Sequence, residues 1–332
     1  MVIAVAAILC SALPVWGSEV VLVNGDKLTG TIDTISGGKM QFHSPMLGKI
    51  EIDMINVQSV SSDESVTVVL SDGRTIVRRL GPSLAGKVTL QDEQEKQEVA
   101  WDQIKAINPP PPVWKGSVSG SWTIMQGNTK SQSTQASISL SKRDESSRTT
   151  LGADYGHSVQ RDNTTRQDST TEDWWRAGAK YDYFLTKKLY GYLEERYATD
   201  KIANLDQRII SGAGLGYQWL ESKTMNFSTD GGLAYITEKY KDDGGNDRTT
   251  AQVGYHFDRQ LTDTLTLKHD LSYFPSLKQF SDYYLTTSLE LRAGLTKSMF
   301  ANFRTLLDYN SKPAPGKVST DIKYMLGIGW DF

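Results

Sequence analysis

The sequence predicts an all-β protein: an antiparallel transmembrane β-barrel of about 12 strands, preceded by a small β-rich domain of two repeats. Three observations carry this expectation. From Trp114 to Phe332, segments of roughly ten residues alternate apolar and polar side chains, the length a tilted strand needs to cross a bilayer. From Glu19 to Asn108 the chain repeats itself with a shift of 48, as Gly25 to Gly73 shows. No internal apolar run approaches the roughly 18 residues of a helical span, so such spans are excluded beyond the extreme N-terminus.

The 332 residues can hold two ordinary domains or one large one with an appendage. A net charge of −3 with 23% charged residues gives no reason to expect a nucleic-acid partner. Val2 to Trp16 is apolar but too short to span a bilayer, and resembles a secretory signal peptide over residues 1–17, cleaved near Gly17-Ser18. The usual Lys or Arg ahead of the run is missing. The sole cysteine, Cys10, lies in that segment, so the processed chain would have neither disulfides nor thiolate chemistry. Lipidation at Cys10 is disfavoured because Leu9 is not a small residue.

Residues 18–108 read as two copies of one module. Leu22-Val23-Asn24-Gly25-Asp26 matches Leu70-Ser71-Asp72-Gly73-Arg74, Gly38-Lys39 matches Gly86-Lys87, and Ile55-Asn56-Val57 resembles Gln103-Ile104 after a one-residue slip. Each copy predicts a strand, a tight Asn-Gly or Asp-Gly turn, a second strand and two further short strands. The expected role is either a periplasmic module that binds a partner, a cell-wall polymer or the barrel mouth, or a structural spacer. No convergent His, Asp or aromatic set favours the first. Pro109 to Pro112 form a stiff polyproline linker, and the barrel domain covers 113–332.

The strands are expected near 114–126, 132–142, 149–160, 173–184, 189–200, 207–219, 225–240, 248–259, 264–274, 280–294, 298–310 and 319–332. An even number places both ends on the periplasmic side. Connections alternate between short turns, such as Thr186–Lys188 and Gln260–Asp263, and longer polar loops, such as Arg161–Glu172 and Ser311–Val318.

Alternation separates lipid from lumen. Val118, Trp122 and Ile124, Trp175 with Tyr181, Leu289 with Leu291, and Phe303 with Tyr309 fall on the lipid side. Trp174, Trp219, Tyr240, Tyr309 and Trp330 suit interfacial girdles. Arg176, Lys180, Lys268, Asp270, Glu290, Arg292 and Arg304 fall on the lumen side as a mixed charge cluster, with Glu290 diagonal to Arg304 and Arg292 nearby. In the last strand, Ile322, Tyr324, Leu326, Ile328, Trp330 and Phe332 share one face, while Asp321, Lys323, Gly327, Gly329 and Asp331 share the other.

With those residues in view, the region from Val113 to Phe332 resembles the YdiY-like family, outer-membrane β-barrels grouped as domain of unknown function four-eight-one. The likeness rests on Trp114-Lys115-Gly116-Ser117-Val118, the Gly127-Asn128-Thr129 turn and the closing Gly327-x-x-Trp330-x-Phe332. It implies a barrel in the outer membrane, salt-stress induction in one member, and no catalytic residues. The ending also resembles the signal by which barrels are recognised for insertion, carried by Gly327, Trp330 and Phe332, although Met325 stands where a polar residue is usual.

An enzyme is not expected. His43, His157, His256 and His269 sit on separate segments, without Gly-x-Ser-x-Gly or His-x-x-x-His spacing. His256 lies on the lumen side with Asp258 but lacks an identifiable nucleophile. The acidic stretch Asp242 to Asp247 lacks calcium-loop spacing and reads as a solvated turn. No cofactor or metal is expected. The expected partners are outer-membrane lipids, the barrel-assembly machinery and a periplasmic or cell-wall partner through residues 18–108. The leading function is a narrow channel or an envelope-structural protein, against an adhesion protein anchored by its barrel and, third, a lipid-modifying enzyme. Twelve strands lie between filled and open barrels.

Overall fold

The computed structural model describes residues 17–84, 86–92, 95–111, 113–127, 130–144, 146–241 and 244–332. The signal-peptide segment up to residue 16 with Cys10, and also Pro112, the Asn128-Thr129 turn and Asp242-Asp243, lie outside the described residues. The chain divides after Pro111 into two compact units.

The first unit runs β1(Ser18–Leu22), β2(Lys27–Ser36), β3(Lys39–Ser44), β4(Gly48–Asp53), β5(Val57–Ser61), then β6(Ser65–Leu70), β7(Thr75–Leu84), β8(Lys87–Gln91), β9(Lys96–Ala100) and β10(Ile104–Ile107). A single 3-10 turn precedes the fifth strand of each copy, Met54–Asn56 and Trp101–Gln103. The first hairpins share one mechanism. Asn24 and Asp72 each accept the amide two residues on, at 3.1 and 3.0 Å, beside Gly25 and Gly73 at φ 89° and 93°. One core holds both copies: Val20, Ile32 and Phe42 recur 48 positions on as Val68, Leu80 and Leu90, all buried. The copies are also stitched together, because β10 pairs with its own β6 and with β2 of the first copy. Asn108, at φ 46°, accepts from the Thr67 amide at 2.9 Å and donates to the Ile32 carbonyl at 3.1 Å.

The second unit is a closed antiparallel barrel of twelve strands, β11(Trp114–Met125), β12(Lys130–Arg143), β13(Ser147–Arg161), β14(Asp168–Phe184), β15(Leu189–Asp200), β16(Leu205–Glu221), β17(Met225–Tyr240), β18(Gly245–Gln260), β19(Leu265–Pro275), β20(Tyr283–Gly294), β21(Met299–Asn310) and β22(Thr320–Asp331). Eleven of the twelve seams pair over long ladders, while β11 and β22 join only at Ser117–Gly120 against Ile328–Asp331, and the outward rows of Leu, Val, Ile and aromatic side chains make it a membrane-spanning barrel. The connections at one end are three or four residues long, and those at the other run from four to nine. That contrast is weaker than the sequence implied, because β14, β16 and β18 already begin at Asp168, Leu205 and Gly245, inside the stretches 161–172, 201–206 and 241–247 that the sequence assigned to loops.

All five short turns are built alike. The side-chain oxygens of Asp144, Thr186, Ser222, Thr262 and Thr296 each accept the amides two and three residues on, at 2.6 to 3.4 Å. Three of them repeat the pattern Leu-Thr-x-x-Leu/Met, at Leu185, Leu261 and Leu295.

Candidate functional site: the barrel interior

The inward rows bring charged side chains from every part of the ring into one enclosed space. Three cavities follow one another along it. About 530 Å³ lies toward the short turns, beside Arg148, Lys180, Asp230 and His256. About 300 Å³ lies in the middle, beside Asp154, Glu194 and Arg196. Only about 60 Å³ lies toward the loops, beside Asp200, Asp321 and Lys323.

Arg176 borders all three cavities, and Arg208 and Tyr284 border the middle and loop-end ones. Arg176 Nη2 lies 3.1 Å from Asp308 Oδ2, and Tyr284 donates its hydroxyl to Asp308 Oδ1 at 2.8 Å. The Arg208 guanidinium sits 4.2 Å over the Tyr284 ring and binds Glu238 at 2.6 Å. β14 and β21 are five strands apart by the shorter way round, so the Arg176–Asp308 pair crosses the interior. Lys323–Asp200, at 3.0 Å between β22 and β15, crosses it as well. The bore is therefore bridged by side chains rather than open.

Next to this bridge a buried network lies along one wall. Glu238 is fully buried, Arg248 meets it at 3.4 Å and Asp282 at 3.0 Å, and Asn310 donates to Glu238 at 3.2 Å. Opposite charges are needed here, since an isolated ion in such a place would lose several kcal/mol of hydration. Apolar patches fill the remainder: Ile210, Ala234, Ile236, Phe274 and Tyr284 form one, and Trp174, Leu306 and Met325 another.

The seven charges singled out from sequence all face this interior but do not form one cluster. Lys180 binds Asp230 at 2.5 Å, Arg304 binds Asp154 at 2.6 Å, and Arg292 meets Glu290 at 2.9 Å. Asp270 meets His256 at 2.6 Å, with Asp258 on the other ring nitrogen at 3.1 Å. Lys268 makes no ion pair among the described residues. Glu290 and Arg304 stand directly opposite in register, not diagonally as expected, and do not pair. Arg304 turns across the bore to Asp154 instead, while Asn302 and Arg292 occupy Glu290.

Two girdle assignments are also corrected. Trp174 is 2% exposed and faces inward, because its neighbour Trp175 is the outward one and adjacent strand residues cannot share a face. Its indole lies over Gly156, where a Cβ would come within 2.5 Å. Tyr240 also turns inward, donating to Glu238 at 3.0 Å. Tyr309, stacked on Tyr283 at 5.0 Å, faces outward as expected, as do Trp219 and Trp330. Gly327 faces the interior beside Asn302, and Phe332 exchanges both backbone hydrogen bonds with Gly116.

Sequence reasoning missed Arg208 as a bridging residue. Ile209 and Ile210 follow it, so neither face of β16 looks polar there. A register shift between Leu205 and Gln207 breaks the alternation just before it, so the phase is set by pairing with the neighbouring strands.

Residues 119–332 match a family described as "Protein of unknown function, DUF481". The uncharacterized protein YdiY of Escherichia coli strain K12 is 22% identical over 224 residues, spanning 65% of this chain and 82% of that protein. Among solved structures, the NanC porin aligns with a TM-score of 0.41 at 8% identity, covering 65% of this chain and 98% of its own. The KdgM porin gives 0.33 at 10%, covering 66% and 99%. The translocator domain of autotransporter NalP from Neisseria meningitidis gives 0.33 at 14%, covering 66% and 86%.

Proposed function

We propose that this chain, which belongs to the DUF481 family, is an outer-membrane channel narrowed to a charged constriction at Arg176, Asp308 and Tyr284. The observation that supports this is the row of three cavities with charged side chains in their walls, all bordered by Arg176. Solutes as large as an oligomer have no path past the bridge, so the fitting cargo is small and hydrophilic, and both signs of charge along the wall let it exchange partners as it moves. Short turns face the periplasm by the usual barrel pattern, so residues 18–108 are periplasmic, and Gly327, Trp330 and Phe332 present the insertion signal to the assembly machinery at that rim.

Planar-bilayer recording tests the channel. The protein gives discrete small conductance steps, and Arg176→Ala, which removes the side chain shared by all three cavities, enlarges them. Silence from both proteins overturns the proposal.

A second role has its own observation. Val23, Leu47 and Ile55 are highly exposed in the first repeat, where the second carries Ser71, Glu95 and Gln103. Exposed apolar side chains at positions that are polar in the other copy suit a periplasmic partner. Full-length protein with Leu47→Glu and Ile55→Gln then recovers less of that partner in envelope pull-downs, and equal recovery counts against the role.

A further inference from the structure

Between its aromatic girdles the outer wall of the barrel meets hydrocarbon, and one residue there does not fit. Glu195, midway along β15, points outward between Leu193 and Tyr197 and is exposed. Tyr197 stacks on outward Trp175 at 4.7 Å and marks the loop-side girdle, so the carboxyl lies one pleat deeper, about 6–7 Å along the strand. Among the described residues no hydrogen bond or ion pair reaches it. Its chain neighbour Arg196 turns into the bore and pairs with Glu194 at 3.0 Å, so that cation is spent elsewhere. Outward His269, midway along β19, shows the usual remedy, because Tyr255 and Thr287 engage its two ring nitrogens at 2.7 and 3.0 Å. An ionisable side chain left without a partner at membrane depth is costly, and such groups mark sites of function.

The cross-strand register builds a depression beside it. Ser211 on β16 stands between Glu195 on β15 and Tyr235 on β17, and Ala213 stands between Leu193 and Leu233. Two successive rungs are therefore small in the middle and large on both sides, and they line a depression of about 620 Å³ that also reaches Ala179 and Tyr181 on β14. The two rungs differ in chemistry. The one nearer the loops offers a carboxyl and two hydroxyls, and neither the Ser211 nor the Tyr235 hydroxyl has a partner among the described residues. The one nearer the bilayer centre is wholly aliphatic. At the next rung the sizes invert, with Leu215 in the middle and Gly191 and Gly231 beside it, and a Cβ on Gly231 would touch nothing. The depression therefore has an exit past Leu215, over Gly231.

We infer that this depression binds a lipid of the loop-side leaflet that carries a hydrogen-bond donor, a hydroxyl or an amide N–H, where its head meets its chain. The donor goes to Glu195, with Ser211 and Tyr235 beside it, and the chain descends between Leu193 and Leu233 and leaves over Gly231. Polarity and depth together select this occupant. A lipid of that leaflet enters with its polar end toward the loops, the order in which the two rungs are arranged, and its head-to-chain junction lies just inside the girdle, where Glu195 stands. A second copy related by a twofold axis along the bilayer normal would set carboxylate against carboxylate at one depth, which is repulsive. The site lies on the outer wall and is independent of the axial channel.

The test uses full-length protein in dioleoylphosphatidylcholine nanodiscs, whose lipid has no hydrogen-bond donor, photolabelled with N-palmitoyl ethanolamine or methyl palmitate, each carrying the same chain diazirine. The amide labels Leu193 and Leu233 about fivefold more than the ester does, the worth of one net hydrogen bond, while outward Leu289 on β20 takes both equally. Glu195→Leu removes a charge from hydrocarbon and keeps heat-modifiable migration, and it brings the preference at Leu193 and Leu233 down to about one. Gly231→Leu closes the exit and lowers amide labelling at Leu233 with Leu289 unchanged. Equal labelling of Leu193 and Leu233 by both probes in the unaltered protein, a preference that survives Glu195→Leu, Leu233 labelling untouched by Gly231→Leu, or a dimer in native mass spectra that Glu195→Leu dissociates overturns the inference. None of these readouts is a conductance, so silence in planar bilayers would refute only the axial channel.

Discussion

Asp308→Asn is the most informative single change, because one carboxylate holds both halves of the bridge. It keeps the shape and the acceptor for the Tyr284 hydroxyl, and removes the charge facing Arg176 at 3.1 Å. At an effective dielectric of about 20, that attraction is roughly 5 kcal/mol before desolvation is subtracted. The two side chains remain 23% and 16% exposed, so bore water screens part of it, and a net loss of about 2 kcal/mol is expected. Urea unfolding in lipid vesicles, read by tryptophan fluorescence and heat-modifiable migration, measures it. Arg176→Ala should lose a similar amount, and the double variant should recover about 1–2 kcal/mol relative to the sum, since the stranded charge disappears. Additivity within roughly 0.5 kcal/mol would refute a cross-bore ion pair.

Four smaller predictions follow from the same geometry. Gly156→Ala drives a Cβ to within 2.5 Å of the Trp174 indole and should cost about 1–3 kcal/mol in the same unfolding assay. Asn108→Ala removes hydrogen bonds to both repeats at a backbone φ of 46°; hydrogen exchange in β2 and β6 of the full chain should accelerate together, with barrel strands unchanged. Thr262→Val deletes the acceptor of two turn amides and should lower stability by about 0.5–1.5 kcal/mol, with Thr262→Ser close to wild type. At the Asp144 turn, burial pushes the carboxyl upward, but the Ser147 hydroxyl and the Ser146 and Ser147 amides outweigh it and hold the group below its ordinary 3.8. A lowered carboxyl stabilises above that value and loses its contribution as pH falls below it. Exchange of the Ser146 and Ser147 amides should therefore depart from its intrinsic pH dependence below about pH 4, and Asp144→Asn should remove the departure.

Much of the barrel was legible because a period of two is a local property. Val118, Trp122 and Ile124 face outward and Ser117 inward whatever their neighbours do, and the order of β11 to β22 follows from counting. The repeat was legible for a similar reason, since Asn24-Gly25 and Asp72-Gly73 name a turn by backbone chemistry alone. Phase failed where two residues of like character stand together. Trp174-Trp175 and Ile209-Ile210 each put one side chain in and one out, and register shifts near the starts of both strands leave only the cross-strand pairing to tell which.

Partnership was another matter. Arg304 and Glu290 are cross-strand neighbours in sequence logic, yet Arg304 spends its charge on Asp154, four strands away round the ring. Met325 illustrates both sides. The sequence by itself determined that it stands on the inner face of a last strand otherwise lined by Asp, Lys and Gly. Only the closed barrel brought Leu306 and Trp174 to it and left the adjoining seam half-paired. Alternation is set by the pleat of each strand, whereas contacts across the bore depend on the curvature and stagger of all twelve.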